Sequence, residues 1–210
     1  MRILIVSDSH GRELSKAFEK DYPSCIVKIM LVGSTTDKVR ENYVRRQREA
    51  ISFMPDNIIL HVGHNDVVYH PFHNTSPRHI KEYFPDVVSF LRLLRERHTE
   101  SKIYYSTMLP RGEGRMLSEA KKIQYNTLAA RFGVLAQSTC RREGFVFLLN
   151  ACLWQSVRQK IENPDIFDVG GLHLHETGKK MMVKGWMDTM FPTRVVVDVP
   201  TTDGGASLYG

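Results

Sequence analysis

With 210 residues, 42% of them apolar and 25% charged, the chain has the composition of an ordinary globular protein and the length of one domain rather than two. Such a domain buries roughly 70% of the surface its unfolded form exposes and needs no disulfide staples. The three cysteines, Cys25, Cys140 and Cys152, are odd in number and lack Cys-x-x-Cys spacing. Cys25 and Cys152 lie in apolar stretches and read as buried thiols. No apolar run approaches the ~20 residues of a membrane span. The first residues enter a strand pattern without a secretory h-region, so a cytoplasmic or nuclear location is expected. The net charge of +6 is modest. Its basic clusters, Arg40/Arg45/Arg46/Arg48, Arg92/Arg95/Arg97 and Arg141/Arg142, read as solvated helix faces, with nucleic acid as the alternative partner. Aromatic residues are not interleaved with them as a base-stacking platform requires.

Short β-branched runs alternate with helix-period segments along the chain. The run "RILIVS" (2–7) predicts a buried strand, followed by the amphipathic "GRELSKAFEKDY". "CIVKIMLVG" (25–33) is the second strand, and 36–54 is an Arg-rich helix opened by Thr and Asp capping residues. "NIILHVG" (57–63) is the third strand. A loop with Pro71, Asn74 and Pro77 leads to a helix over 78–98, with Val87, Phe90, Leu91 and Leu94 on one face. "KIYYSTM" (102–108) is the fourth strand, ended by Pro110 and the Gly112/Gly114 loop. A long helix over 115–142 and a fifth strand "FVFLLN" (145–150) follow. After an irregular stretch around Pro164, "HETGKKMMVKGWMDTMF" predicts the last helix. The domain is expected to cover 1–192. The remaining 193–210 read as a tail, in which "RVVVDV" either adds an edge strand or does not.

This alternation predicts an α/β fold, an open parallel sheet of five strands covered by helices on both faces in a three-layer α/β/α sandwich. Ligands of such sheets bind outside the carboxyl ends of the strands. Ser7-Asp8-Ser9-His10 lies there after strand one, Gly33-Ser34-Thr35-Thr36 after strand two, and Gly63-His64-Asn65-Asp66 after strand three. The loop before the last helix supplies "DVGGLHLHETG". A serine mechanism needs a hydroxyl, a base within hydrogen-bond reach and donors aimed at the developing oxyanion. Ser9 is the candidate nucleophile and His173 the candidate base. The Ser9 N–H, Gly33 and Asn65 are the candidate oxyanion hole.

These four blocks, in this order, resemble the SGNH (GDSL-type) hydrolase superfamily over about residues 1–190, and the resemblance implies that the sheet is flavodoxin-like. The leading Gly-Asp-Ser is represented by Ser7-Asp8-Ser9, the second-block glycine by Gly33, and Gly-x-Asn-Asp in full by Gly63-His64-Asn65-Asp66. The final Asp-x-x-His is matched at His173. The resemblance implies a cofactor-free esterase that removes acetyl or short acyl groups from lipids, sugars or small esters. The leaderless, basic character is also similar to the esterase domains of some retroelement proteins, with lipid or nucleic-acid partners. The departure is at the acid: position 170 is glycine, and Asp168 lies five residues before His173. Either a bulged loop brings Asp168 to the ring or the site is a dyad. The alternatives are therefore a weak or inactive module binding RNA or protein, and a metallophosphoesterase.

The metal reading rests on "SDSHG" after the first strand, with Asp8 and His10 as ligands, and on the second pair His173 and His175. A two-metal site also needs bridging carboxylates, and the Gly-Asp-x-x-Asp and Gly-Asn-His motifs that supply them in that class are missing. No metal is therefore expected. Taken singly, Ser9 also reads as a helix cap, Gly33 as a turn glycine, and Asn65 as an Asx-turn residue. Asp8 and Asp66 are expected to brace the rim by hydrogen bonds. His10 and His64 are expected to shape the pocket, His175 to cap the last helix or lie on the surface, and Trp154 and Trp186 to pack.

Overall fold

The computed structural model describes residues 1–32, 35–67, 80–112, 118–158, 166–168, 171 and 173–192. Five strands, β1 (Arg2–Ser7), β2 (Ile26–Leu31), β3 (Asn57–His61), β4 (Lys102–Ser106) and β5 (Val146–Leu148), form one parallel sheet in the order β2-β1-β3-β4-β5. Six helices follow the crossovers: α1 (Leu14–Asp21), α2 (Thr36–Ser52), α3 (Ile80–Arg97), α4 (Glu119–Glu143), α5 (Ala151–Arg158) and α6 (Glu176–Met190). β1 is an interior strand, with Ile3 to Ser7 in register against both Val27 to Leu31 and Asn57 to His61. Buried on both faces, it reads as a continuous apolar run.

The period-two alternation of side chains divides the core into two layers. Leu4, Val6, Ile58, Leu60 and Tyr105 pack with Val39, Tyr43, Phe90 and Phe132 of the helices α2, α3 and α4. Ile3, Ile5, Ile59 and Tyr104 pack with Phe18, Leu153, Met182 and the fully buried Trp186 of α1, α5 and α6. Trp154 is partly buried against the first layer. Cys25 and Cys140 are buried and Cys152 is half-buried.

β1 has the bounds predicted, whereas β2 to β5 each end two residues before the predicted carboxyl end, because there the chain leaves the ladder to form the rim. The segment after β5 is not irregular as expected. It turns at Asn150 into α5, eight residues too short to display a helical period in sequence. The predicted loop at 71–77, the stretch around Pro164 and "RVVVDV" with the rest of 193–210 lie outside the described residues. The arginines lie on helix faces, as expected, and several are engaged there. Arg92 makes a bidentate pair with Glu143 at 3.0 and 2.8 Å, Arg46 pairs with Glu49, and Arg45, Arg48, Arg141 and Arg142 are exposed. No helix among the described residues is long and apolar enough to cross a membrane.

Candidate active site

The loop after β1 enters a single 3₁₀ turn, Ser9–Gly11. Asp8 caps it by accepting the His10 N–H at 3.0 Å. The turn presents Ser9, half-buried, at the sheet rim. The loop after β3 turns at Gly63–Asp66, closed by the Asp66 N–H donating to the Gly63 carbonyl. Gly63 has φ of 113°, a conformation that a side chain would strain. Asn65 on this turn is half-buried. Asp66 reaches across to the start of α2, where its carboxylate accepts the Thr36 N–H at 3.0 Å and the Thr36 hydroxyl at 2.8 Å. Asp66 therefore acts as a helix cap supplied from another loop. It braces the rim, as expected. Gly33 lies outside the described residues.

The last loop resolves the misplaced acid. Residues 166–168 and 173–175 pair antiparallel, as the two arms of a small hairpin: Phe167 bridges Leu174, the Asp168 N–H donates to the His173 carbonyl at 2.8 Å, and the His175 N–H donates to the Ile166 carbonyl at 2.9 Å. Asp168 and His173 are thus cross-strand partners, and a five-residue separation is what such a rung requires. The Asp168 carboxylate accepts the His173 N–H and lies 3.3 Å from Nδ1 of its ring. Asp168 thus meets the His173 ring although position 170 is glycine. Both side chains are open to solvent, His173 at 47% and Asp168 at 38%. His175 stands at the N-cap position of α6 without a capping bond from its side chain, and is exposed.

Beneath His173 lies a column of imidazoles. The His173 ring is 5.0 Å from that of His10, which stacks at 3.9 Å on His64, which in turn meets His61 edge-on at 4.7 Å. His10 and His64 are both buried and both donate from Nδ1 to the fully buried Asp8, at 3.0 and 2.9 Å. Their other nitrogens are also committed. His64 Nε2 accepts the Leu109 N–H at 2.9 Å, and His10 Nε2 accepts from the Arg111 guanidinium at 3.2 Å. A backbone amide and an arginine can only donate, so the hydrogen of each ring is on Nδ1, facing Asp8.

Burial disfavours charge on Asp8, but His64 and His10 hold its carboxyl well below the usual range. Burial pushes His10 and His64 down to about 4, against the pull of Asp8. His61 falls to about 3 for the same reason. The resident state is therefore one carboxylate between two neutral imidazoles, with Arg111 beside them.

Asp8, His10 and His64 are close enough together to be considered as ligands to one cation. Their bonding does not fit one. A metal on either Nδ1 would move that ring's hydrogen to Nε2, where it would point at another donor. Of the histidines that suggested metal chemistry, His10 is instead committed to Asp8 and His173 is paired with Asp168.

Two participants were not legible in the sequence. Arg111 is buried, with its guanidinium over the Tyr125 ring at 4.6 Å. Its signal was only its position just past the fourth strand. A second polar chain runs under the site: Trp186 Nε1 donates to Asn150 Oδ1, the Asn150 amide donates to the Ser106 hydroxyl and the Thr107 carbonyl, and Ser106 meets His61 Nδ1 at 3.0 Å. Trp186 packs as expected, but it also anchors this chain.

Among the solved structures that resemble this architecture are proteins described as esterases and lipases. An acetyl xylan esterase superimposes with a TM-score of 0.64 at 16% identity, over 90% of this chain and 98% of its own. Axe2, an acetylxylan esterase from Geobacillus stearothermophilus, gives 0.65 at 15% identity, over 90% and 94%. A protein from Parabacteroides merdae described as a GDSL-like lipase gives 0.65 at 15%, over 90% and 94%. No family sequence model and no curated protein matches the chain. The chain shares with these GDSL-like lipase and acetyl xylan esterase structures its fold, a five-stranded parallel sheet between helical layers, as the SGNH resemblance implied.

Proposed function

We propose that the protein is a serine esterase acting on small acyl esters, the acetyl or short-chain esters of sugars or lipids. The observation that carries this reading is the Asp168–His173 pair, held on a hairpin with the imidazole over the Ser9 turn. In the reaction, Ser9 Oγ attacks the ester carbonyl while His173 takes its proton. The Ser9 N–H, Asn65 and Gly33 N–H donate to the oxyanion. The alcohol leaves with the proton returned by His173, and water then cleaves the acyl-enzyme with His173 as base again. Asp168 holds the ring and stabilises the imidazolium. No metal or organic cofactor enters the scheme.

The case for a non-enzymatic binding module rested on the missing acid at position 170, and it loses its force once Asp168 is paired with His173. A nucleic-acid or protein partner retains only the exposed arginines in its favour. Intact mass after incubation with a fluorophosphonate tests the proposal. One adduct on the wild type and none on Ser9→Ala, together with turnover of p-nitrophenyl acetate by the wild type alone, is expected. A folded wild type that neither labels nor turns over would refute it.

A further inference from the structure

We propose that Asp8 is a positioning residue of this site: its single carboxylate sets the spacing between the two segments that carry Ser9 and Asn65. The inference rests on the esterase reading and adds a device to it. His10 immediately follows Ser9, and His64 immediately precedes Asn65. One carboxylate oxygen takes the His10 backbone and ring N–H groups, and the other takes the His64 ring. The two oxyanion donors are therefore one residue away from either arm of a buried bracket. The bracket is itself anchored, since His64 is fixed from behind by Leu109 and His10 by Arg111, both beyond β4. Three strand ends are thereby referred to one carboxylate. His10 carries the His173 ring on its face, so the same bracket supports the base. A displacement of even about 1 Å at an oxyanion donor is costly, because the donors act only when aimed at the position the oxyanion will occupy.

The bonding pattern predicts how the bracket fails. In Asp8→Asn the remaining oxygen keeps the two His10 bonds, and the new NH₂ faces His64 Nδ1. His64 must then move its hydrogen to Nε2, against the Leu109 N–H, and the Asn65 arm is released. Two substitutions of His64 separate this from loss of packing. The amide nitrogen of asparagine stands near Nδ1 and keeps the bond to Asp8. The amide oxygen of glutamine stands near Nε2 and keeps only the bond from Leu109.

The test combines amide exchange by NMR with steady-state kinetics on p-nitrophenyl acetate for the full chain. Asp8→Asn should speed exchange of the Leu109 and Asp66 amides at least about tenfold, leaving those of β3 protected. It should lower kcat about 10²-fold, the scale of one oxyanion donor, with KM within about threefold. H64Q should match its kinetic loss, while H64N should retain kcat within about tenfold of wild type. Unchanged exchange in Asp8→Asn overturns the bracket. So does faster exchange with kcat intact, or H64N as damaged as H64Q. Should Asp8→Asn fail to fold, the two His64 variants decide by the same criteria. A wild type inert to both ester and fluorophosphonate overturns the esterase reading instead, and the exchange data alone then decide whether Asp8 ties the segments together.

Discussion

Acidification from pH 7 to pH 5 is expected to cost the fold about 5 kcal/mol, through the three buried imidazoles of the column. An unfolded histidine titrates near 6.5, whereas His10 and His64 are held down to about 4 and His61 to about 3 in the folded protein. A native value below the unfolded one means that unfolding takes up protons between the two. The stabilisation is complete above about pH 7 and is lost as pH falls through 6.5 toward 4. Each ring contributes about 2 kcal/mol of loss over this interval, and the three together approach half of a typical stability of ~5–15 kcal/mol. Asp8 adds a loss of the same sign only below about pH 4, where the unfolded carboxylate would protonate. Near pH 5.5 the slope should be about 4 kcal/mol per pH unit, close to three protons. Urea unfolding at pH 7, 6, 5.5 and 5, followed by the fluorescence of the buried Trp186, measures it. A His61→Leu variant supplies the control, because the slope counts protons and not contacts: it should fall by about one proton, whatever the variant's stability at pH 7. A wild-type slope below about 1.4 kcal/mol per pH unit, the value for a single proton, would refute the neutral-imidazole assignment.

Four further outcomes follow from particular contacts. Asp168→Asn should lower kcat about tenfold to a hundredfold, less than the ~10⁴ of a buried triad acid, because the 3.3 Å contact is exposed to water; steady-state kinetics measure it. Asp66→Ala, which removes both bonds to Thr36, should cost about 2 kcal/mol in urea unfolding. Gly178→Ala places a methyl 2.4 Å from the Ile166 carbonyl oxygen, beside the segment that pairs with His173; it should destabilise by about 1–3 kcal/mol and lower kcat through displacement of His173. Dialysis against EDTA should leave ester turnover and melting temperature unaltered, since His10 and His64 have no nitrogen to give a metal; loss of activity that zinc restores would contradict the tautomers assigned to them.

Much of the fold and of the candidate site was legible in the sequence because it depends on local pattern. Five apolar runs separated by helix-period segments determine a parallel α/β sheet. The rule that ligands lie at carboxyl ends placed Ser9, Asn65 and His173 on one rim before any distance was known. Helix α5 escaped because eight residues hold too few turns for a period to stand out.

What tertiary structure decided was pairing. Read as a motif, Asp168 is two residues too far from His173; folded as a hairpin, the two face each other across a rung. The sequence pair Asp8-His10 is equally compatible with a metal ligand set and with a hydrogen-bonded bracket. The choice is made by the Leu109 amide and the Arg111 guanidinium, about a hundred residues away along the chain. Chain order carries the identity of donors and acceptors, but which donor meets which nitrogen depends on contacts that only the closed sheet creates.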